Sequence, residues 1–239
     1  VGGACSFELP AHYDYKATRS MGRVAVLGTY ASELALADAG LLDPGRPFTP
    51  VAELARGQAG VAYGSCTGGT EAIAHFSQLV VNRSTAGIAG TTYLKMMAHT
   101  TVSHIALTFG LTGRVIPCSS ACTSGSQAIG FAYEAIQAGK QRIMLAGGSE
   151  ELAPAIAAVF DVMGAATHRE DETPAPFAAG RDGLAVAEGA CTVVLEELES
   201  ALARGVVPYG EVVGYGTTAD GKHLVHSNPE QMVETMRIA

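Results

Sequence analysis

Short apolar runs and amphipathic stretches take turns along the chain. Residues 14–45 read as one long helix: Leu27, Ala31, Leu34 and Leu41 recur at helical spacing, and Gly40 ahead of Leu41-Leu42-Asp43-Pro44 supplies a C-cap and a stop. Lys16, Arg19 and Arg23 fall at i, i+3 and i+7 on one face of its first turns; alone, such a basic stripe is an ordinary solvated face. GVAYG (60–64) predicts a buried strand, GSCTGG (64–69) a tight turn, and the next apolar stretch, to residue 82, a helix. Residues 91–111 are apolar nearly all round and predict a second long helix, buried in the core or at a subunit interface.

Beyond Gly113 the alternation continues. RVIPCSS (114–120) and RIMLAGGSEE (142–151) read as strands on either side of a helix over 123–140. Residues 181–205 predict a turn, a buried strand and a charged helix, and 209–223 a further strand opening a new unit. Residues 167–183 read as an exposed loop, and 228–239 as a helix in which the sequence stops. Strands that alternate with helices in this way imply an α/β protein whose sheet is covered on both faces.

Composition agrees with buried, tightly packed structure: 48% of residues are apolar, 16% are charged, and there are 29 glycines and no tryptophan. No apolar run reaches the roughly 18–20 residues that span a bilayer, and the N-terminus has no signal-peptide pattern. It also lacks an initiator Met. A net charge of −8 argues against nucleic acid as a partner. The five cysteines are odd in number and scattered, with no CxxC pair, which fits a reducing, cytoplasmic setting and neither a disulfide framework nor zinc. His99 and His104 stand five apart, off the spacing of two ligands on one helical face, and GSCTGG lacks the lysine of a phosphate loop. No metal and no cofactor is implied.

Cys122 is the residue with a chemical address. It sits where a strand passes into a helix, flanked by Ala121, Thr123, Ser124 and Gly125, side chains small enough for a substrate to reach the sulfur. Free N–H groups and the dipole at a helix N-terminus favour the thiolate, the reactive form of cysteine. A small buried thiol is the plain alternative, and for Cys118, inside the strand, it is the natural reading. The G-x-S-x-G frame of serine hydrolases is absent.

The segment SSACTSGSQAIG (119–130) resembles the active-site segment of the β-ketoacyl-[acyl-carrier-protein] synthases. AGKQRIMLAGGSEEL, FDVMGAAT, PFAAGRDGLAVAEGA, VVLEELESALARG and YGEVVGYGTTADG follow in that family's order, and DYKATRSMGRVA and GSCTGGT match upstream. The likeness spans nearly the whole chain and is nearest to the elongating synthases of types I and II. It implies a thiolase-like αβαβα fold, here incomplete: residues 1–205 as the N-terminal half and 206–239 as the opening of the second. It implies that Cys122 accepts an acyl chain from acyl-carrier protein before a decarboxylative Claisen condensation with malonyl-carrier protein, normally in a homodimer. By position, Thr67 matches a residue lining the acyl pocket, and Asp220 and His223 match a loop near that pocket. Lys16, Arg19 and Arg83 match basic positions that dock the carrier protein, whereas Arg23 matches none.

The resemblance also has gaps. The HGTGT-like and N-x-K-x-x-x-GH-like motifs that carry the family's two histidines do not occur, and the family's first strand precedes Val1. The expectation is an N-terminal portion that presents Cys122 but does not condense by itself. Cys191, where the family generally has glycine, and Cys66, in the Gly-rich turn, are minor departures and read as small buried residues outside the chemistry. Arg181 and Asp182 read as a structural pair. A non-catalytic chain-length-factor-like partner, a coenzyme A thiolase and a redox-sensing thiol protein are the competing readings; the last needs a resolving cysteine.

Overall fold

The computed structural model describes residues 2–54, 57–169, 174–223 and 226–239. The chain order is β1 (Gly2–Gly3), α1 (Tyr15–Thr18), α2 (Arg23–Asp38), β2 (Ala59–Gly64), α3 (Thr70–Asn82), α4 (Gly90–Met96), α5 (Thr100–Thr108), β3 (Val115–Cys118), α6 (Ser124–Gln137), β4 (Ile143–Glu150), α7 (Pro154–Val162), β5 (Val186–Ala187), β6 (Gly189–Glu196), α8 (Leu198–Ala203) and α9 (Pro229–Ile238). The main sheet has the order β3-β2-β4-β6, parallel except for β6, which runs antiparallel to β4. β1 pairs with β5 in a separate two-stranded ribbon.

Strand periodicity sorts the core into two layers. Val61, Tyr63, Ile143 and Leu145 face α2 and α5, where they meet Leu36, Val102, Ile105 and Phe109. Ala62, Met144 and Ala146 face the other way, onto Ala128, Ala132 and Ala135 of α6. The result is a helix–sheet–helix sandwich, the α/β class that the alternation of elements predicts. The α6 face is built largely from alanine and glycine, so that helix lies close against the sheet.

Three expectations need correction. The long helix over 14–45 is two: α1 ends at Arg19, and Gly22, in an extended conformation (ψ 169°), is the N-cap of α2. Gly40 does form the C-cap turn, with Leu41 N–H donating to Leu36 C=O at 2.8 Å, but Leu34 is exposed and the buried ridge runs through Val24, Leu27, Gly28, Ser32 and Leu36. The helix over 91–111 is likewise two, α4 and α5, and the break frees Lys95 C=O to accept Gly69 N–H at 2.9 Å. His104 on α5 is a structural residue: its Nε2 bonds Ser20 C=O at 3.0 Å, bracing the α1–α2 break, and burial pushes its pKa down toward the neutral ring. Finally, residues 209–223 form no strand. Val213 and Tyr209 are exposed there, and among the described residues no strand edge pairs with the segment, so its backbone has no ladder to join.

The exposed loop holds for 174–183; residues 170–173 lie outside the described residues. Arg181 and Asp182 do not pair with each other. Asp182 accepts from Thr167 Oγ1 (2.8 Å), which with the His168 N–H and the Arg169 charge holds its carboxyl below the usual range, while Arg181 Nη1 donates to Ala178 C=O. Among the described residues no helix is long and apolar enough to cross a membrane, and no group of three or more His, Cys, Asp or Glu could hold a metal.

Candidate active site

The parallel strands β2, β3 and β4 all end at one edge of the sheet, the place where open α/β sheets bind ligands. Each delivers one part of the site there.

β3 ends at Cys118, and five residues separate it from the start of α6 at Ser124. Between them Ala121 adopts φ +51°, a left-handed conformation that costs a non-glycine residue about 1 kcal/mol. Hydroxyl groups offset that cost. Ser124 Oγ accepts Ser120 N–H at 2.8 Å and donates to Ala121 C=O at 2.7 Å. Thr123 Oγ1 donates to Ser120 C=O at 2.8 Å, and Ser120 Oγ donates to Gln127 Oε1 at 2.6 Å. The serines and threonine around Cys122 are therefore the internal bonding of an elbow that lifts the cysteine to the surface. Cys122 is exposed and free, whereas Cys118 is buried in the α6 layer and burial pushes its thiol pKa up.

β2 ends in the Gly-rich turn. Ser65 N–H donates to Cys118 C=O at 3.2 Å, so the turn starts level with the elbow. A side chain at Gly64 would put its Cβ 2.7 Å from the Ser124 backbone; only glycine lets the β2 end lie against the first turn of α6.

β4 supplies a residue pair that sequence reasoning missed. Glu150 Oε2 accepts the backbone N–H groups of Cys66 (2.7 Å) and Thr67 (3.3 Å), and its Oε1 accepts the Thr67 hydroxyl at 2.7 Å. Glu151, buried to 6% exposure, accepts Thr70 N–H at 2.6 Å and also the Thr70 hydroxyl. The signal was present in GGSEE: two carboxylates at the end of an apolar strand must find donors, and the nearest free ones lie in a glycine-rich turn.

Thr67 thus stands at the same sheet edge as Cys122, with its hydroxyl committed to Glu150. Cys66 is exposed, not buried as expected, and its thiol is pushed up by partial burial, then by the charges of Glu150 and Cys122, against one favourable contact from the Ala121 backbone N–H. Cys191 on β6 is exposed too, because β6 is the last strand in the sheet order. Asp220 and His223 form a turn of their own: Asp220 Oδ1 accepts Lys222 N–H (3.0 Å), which lowers its pKa, and the His223 ring stacks on His226.

Lys16, Arg19 and Arg83 are exposed, at α1 and its C-cap and at the left-handed C-cap of α3, and among the described residues no ion pair engages them. Arg23 differs. Its guanidinium forms a two-bond fork with Glu188 (2.7 and 2.6 Å), and Glu188 also accepts Cys5 N–H at 2.9 Å and Leu152 N–H at 3.3 Å. That carboxylate fastens the N-terminal segment, the start of α2 and the end of β4 together, so Arg23 is structural.

A family model described as the N-terminal domain of β-ketoacyl synthases matches residues 5–201. A 3-oxoacyl-[acyl-carrier-protein] synthase 1 from Haemophilus influenzae is 35% identical over 100% of this chain and 58% of its own length. The crystal structure of a β-ketoacyl synthase from Burkholderia phymatum superposes with a TM-score of 0.91 at 47% identity, covering 98% of this chain and 56% of that one. A type II PKS ketosynthase in complex with its acyl-carrier protein superposes with a TM-score of 0.74 at 25% identity, covering 99% of this chain and 58% of that one. The chain spans a little over half the length of the relatives it matches.

Proposed function

Since the chain belongs to the β-ketoacyl synthase family, we propose that it carries the acyl-accepting half of a condensing enzyme of fatty-acid biosynthesis, with Cys122 as the nucleophile. One observation carries the reading: the exposed thiol on a strained, hydroxyl-bonded elbow at the sheet edge where the parallel strands end. The Cys122 sulfur attacks the thioester of an acyl-carrier protein, the carrier's thiol leaves, and the acyl chain remains on Cys122 as a thioester. The Cys122 backbone N–H is the candidate donor to the oxyanion of the tetrahedral intermediate. Thr67, fixed by Glu150, bounds the acyl chain, and Asp220 and His223, in their own turn, are assigned to the acyl-pocket loop by the family resemblance alone.

The decarboxylative condensation with malonyl-carrier protein belongs, in this reading, to a protein of the relatives' full length. Residues 1–205 are its N-terminal half and 206–239 open the second, a division supported by the family match ending at residue 201. Lys16, Arg19 and Arg83 are the docking cations for the acidic carrier; that no ion pair engages them among the described residues supports this assignment, as does the carrier-bound ketosynthase that superposes on the chain. We assign the protein to the cytoplasm, where its five free cysteines fit a reducing milieu, and to a homodimer, with the exposed Tyr93 and Leu94 in the candidate interface. Retention of Cys122 on its elbow disfavours a non-catalytic chain-length-factor role, and the family match disfavours a coenzyme A thiolase.

The test is peptide mass spectrometry after incubating the full-length protein with acyl-carrier protein bearing an acyl thioester. The expected adduct sits on the Cys122 peptide, disappears in Cys122→Ala and persists in Cys118→Ser. A full-length protein that takes no adduct overturns the reading and favours the non-catalytic partner.

A further inference from the structure

The redox reading of the sequence required a resolving cysteine near Cys122, and Cys118 is not it, being buried on the α6 face. The fold brings up a different one. β2 and β3 are hydrogen-bonded neighbours in parallel register, Gly64 opposite Cys118, and Ser65 N–H still bonds Cys118 C=O one step beyond the ladder. Past that point both chains turn at the same sheet edge, one carrying Cys66 and the other Cys122. The contact between Gly64 and the Ser124 backbone closes the space between the two turns, and both thiols are exposed and free. Glu150 accepts the Cys66 backbone N–H at 2.7 Å, so the main chain that carries this thiol is held at the sheet edge beside the elbow.

We propose that Cys66 is the resolving thiol of Cys122, so that oxidation by a hydroperoxide closes a reversible Cys66–Cys122 disulfide across the acyl-accepting site. In the first step the Cys122 sulfur attacks the peroxide O–O bond; it becomes the sulfenic acid and the peroxide leaves as an alcohol or water. In the second, the Cys66 sulfur attacks the sulfenic sulfur, the S–S bond forms, and hydroxide leaves with the Cys66 proton as water. Two thiols give up two electrons and the peroxide takes them. The order follows from surroundings: partial burial and then the neighbouring Glu150 carboxylate raise the Cys66 thiol pKa, which makes Cys66 the poorer first target. The consequence, an enzyme that cannot be acylated until reduced but is spared irreversible oxidation, rests on the acyl-acceptor reading of Cys122; the disulfide itself does not.

The experiment treats the full-length protein with hydrogen peroxide, blocks remaining thiols with an alkylating agent, and maps peptides without reduction. A dithiothreitol-sensitive peptide joining Cys66 to Cys122 is expected. In Cys66→Ala, Cys122 should instead proceed to sulfinic acid and lose its recovery by dithiothreitol. No joined peptide, together with equal overoxidation of Cys122 in both proteins, overturns the proposal. Acylation of the reduced wild type, measured in parallel, reports separately on the acyl-acceptor reading.

Discussion

Glu150 binds the Gly-rich turn through a single carboxylate, so its replacement tests how the site is held. Glu150→Ala removes the acceptor for two backbone N–H groups and one hydroxyl, at 2.7, 3.3 and 2.7 Å. Hydrogen bonds to a charged group contribute about 1.5–3 kcal/mol each, and the two short ones at this half-exposed site fall at the low end. The long bond adds little. The expected loss is therefore about 3 kcal/mol, which for a domain of this size lowers the melting temperature by roughly 6–12 °C. Glu150→Gln separates geometry from charge. Its carbonyl oxygen can take the place of Oε2 between the two N–H groups, and its amide can donate to the Thr67 hydroxyl, which reverses its own role. Its cost should be about 1 kcal/mol, in the range of a neutral replacement for one charged acceptor. The assays are thermal melts of the full-length protein and hydrogen exchange read at the Cys66 and Thr67 amides, which lose protection in the Ala variant and keep most of it in the Gln variant. Unchanged melting and unchanged exchange in Glu150→Ala would mean that the carboxylate is merely solvated, and the account of the site would fail.

Two further outcomes follow from charge. Glu188 titrates at about 2 in the folded protein, below its ordinary 4.5, first because the Arg23 guanidinium hydrogen-bonds it. The folded state therefore binds that proton less readily than the unfolded chain, and the stabilisation is complete above pH 4.5 and lost as pH falls toward 2. Glu188→Gln should be less stable at neutral pH and flatter through that window in an acid titration followed by circular dichroism; an acid limb identical to the wild type would refute the clamp. Reversing Lys16 and Arg19 to Glu should leave the melting temperature unchanged, since among the described residues no ion pair is broken, and weaken acyl-carrier-protein binding in calorimetry. The loss should shrink as salt rises, because the screening length falls from about 30 Å at 0.01 M to about 10 Å at 0.1 M. Equal affinity at low salt would remove these residues from the docking surface.

What the sequence made legible follows from how each signal arises. β2 and β4 are buried on both faces, so continuous apolar runs marked them well, and the strand-to-helix passage at Cys122 could be read from its small residues. Helix breaks were harder. The pattern over 91–111 is apolar across the α4–α5 junction, and the break there is used by a tertiary bond, Gly69 N–H to Lys95 C=O, that no local window contains. Residues 209–223 have strand-like composition, but a strand exists only where it pairs with an edge, and among the described residues this segment pairs with none. The basic stripe looks uniform in sequence, yet Arg23 is bound by a carboxylate 165 residues away, while among the described residues none pairs with Lys16 or Arg19. Cys66 was misjudged for the same reason: its surroundings come from Glu150 and the Cys122 elbow, both distant in sequence.

The elbow of Cys122 hangs from β3, the turn of Thr67 and Cys66 from β2, and the carboxylate that holds that turn from β4. The separation between the Cys122 sulfur and Thr67 is therefore a dimension of the sheet, set by strand spacing and twist, and it stays constant while the residues at the tips change. If Cys122 receives the acyl chain as proposed, a lineage can exchange Thr67 for a larger or smaller side chain and so alter which chains fit, without moving that sulfur.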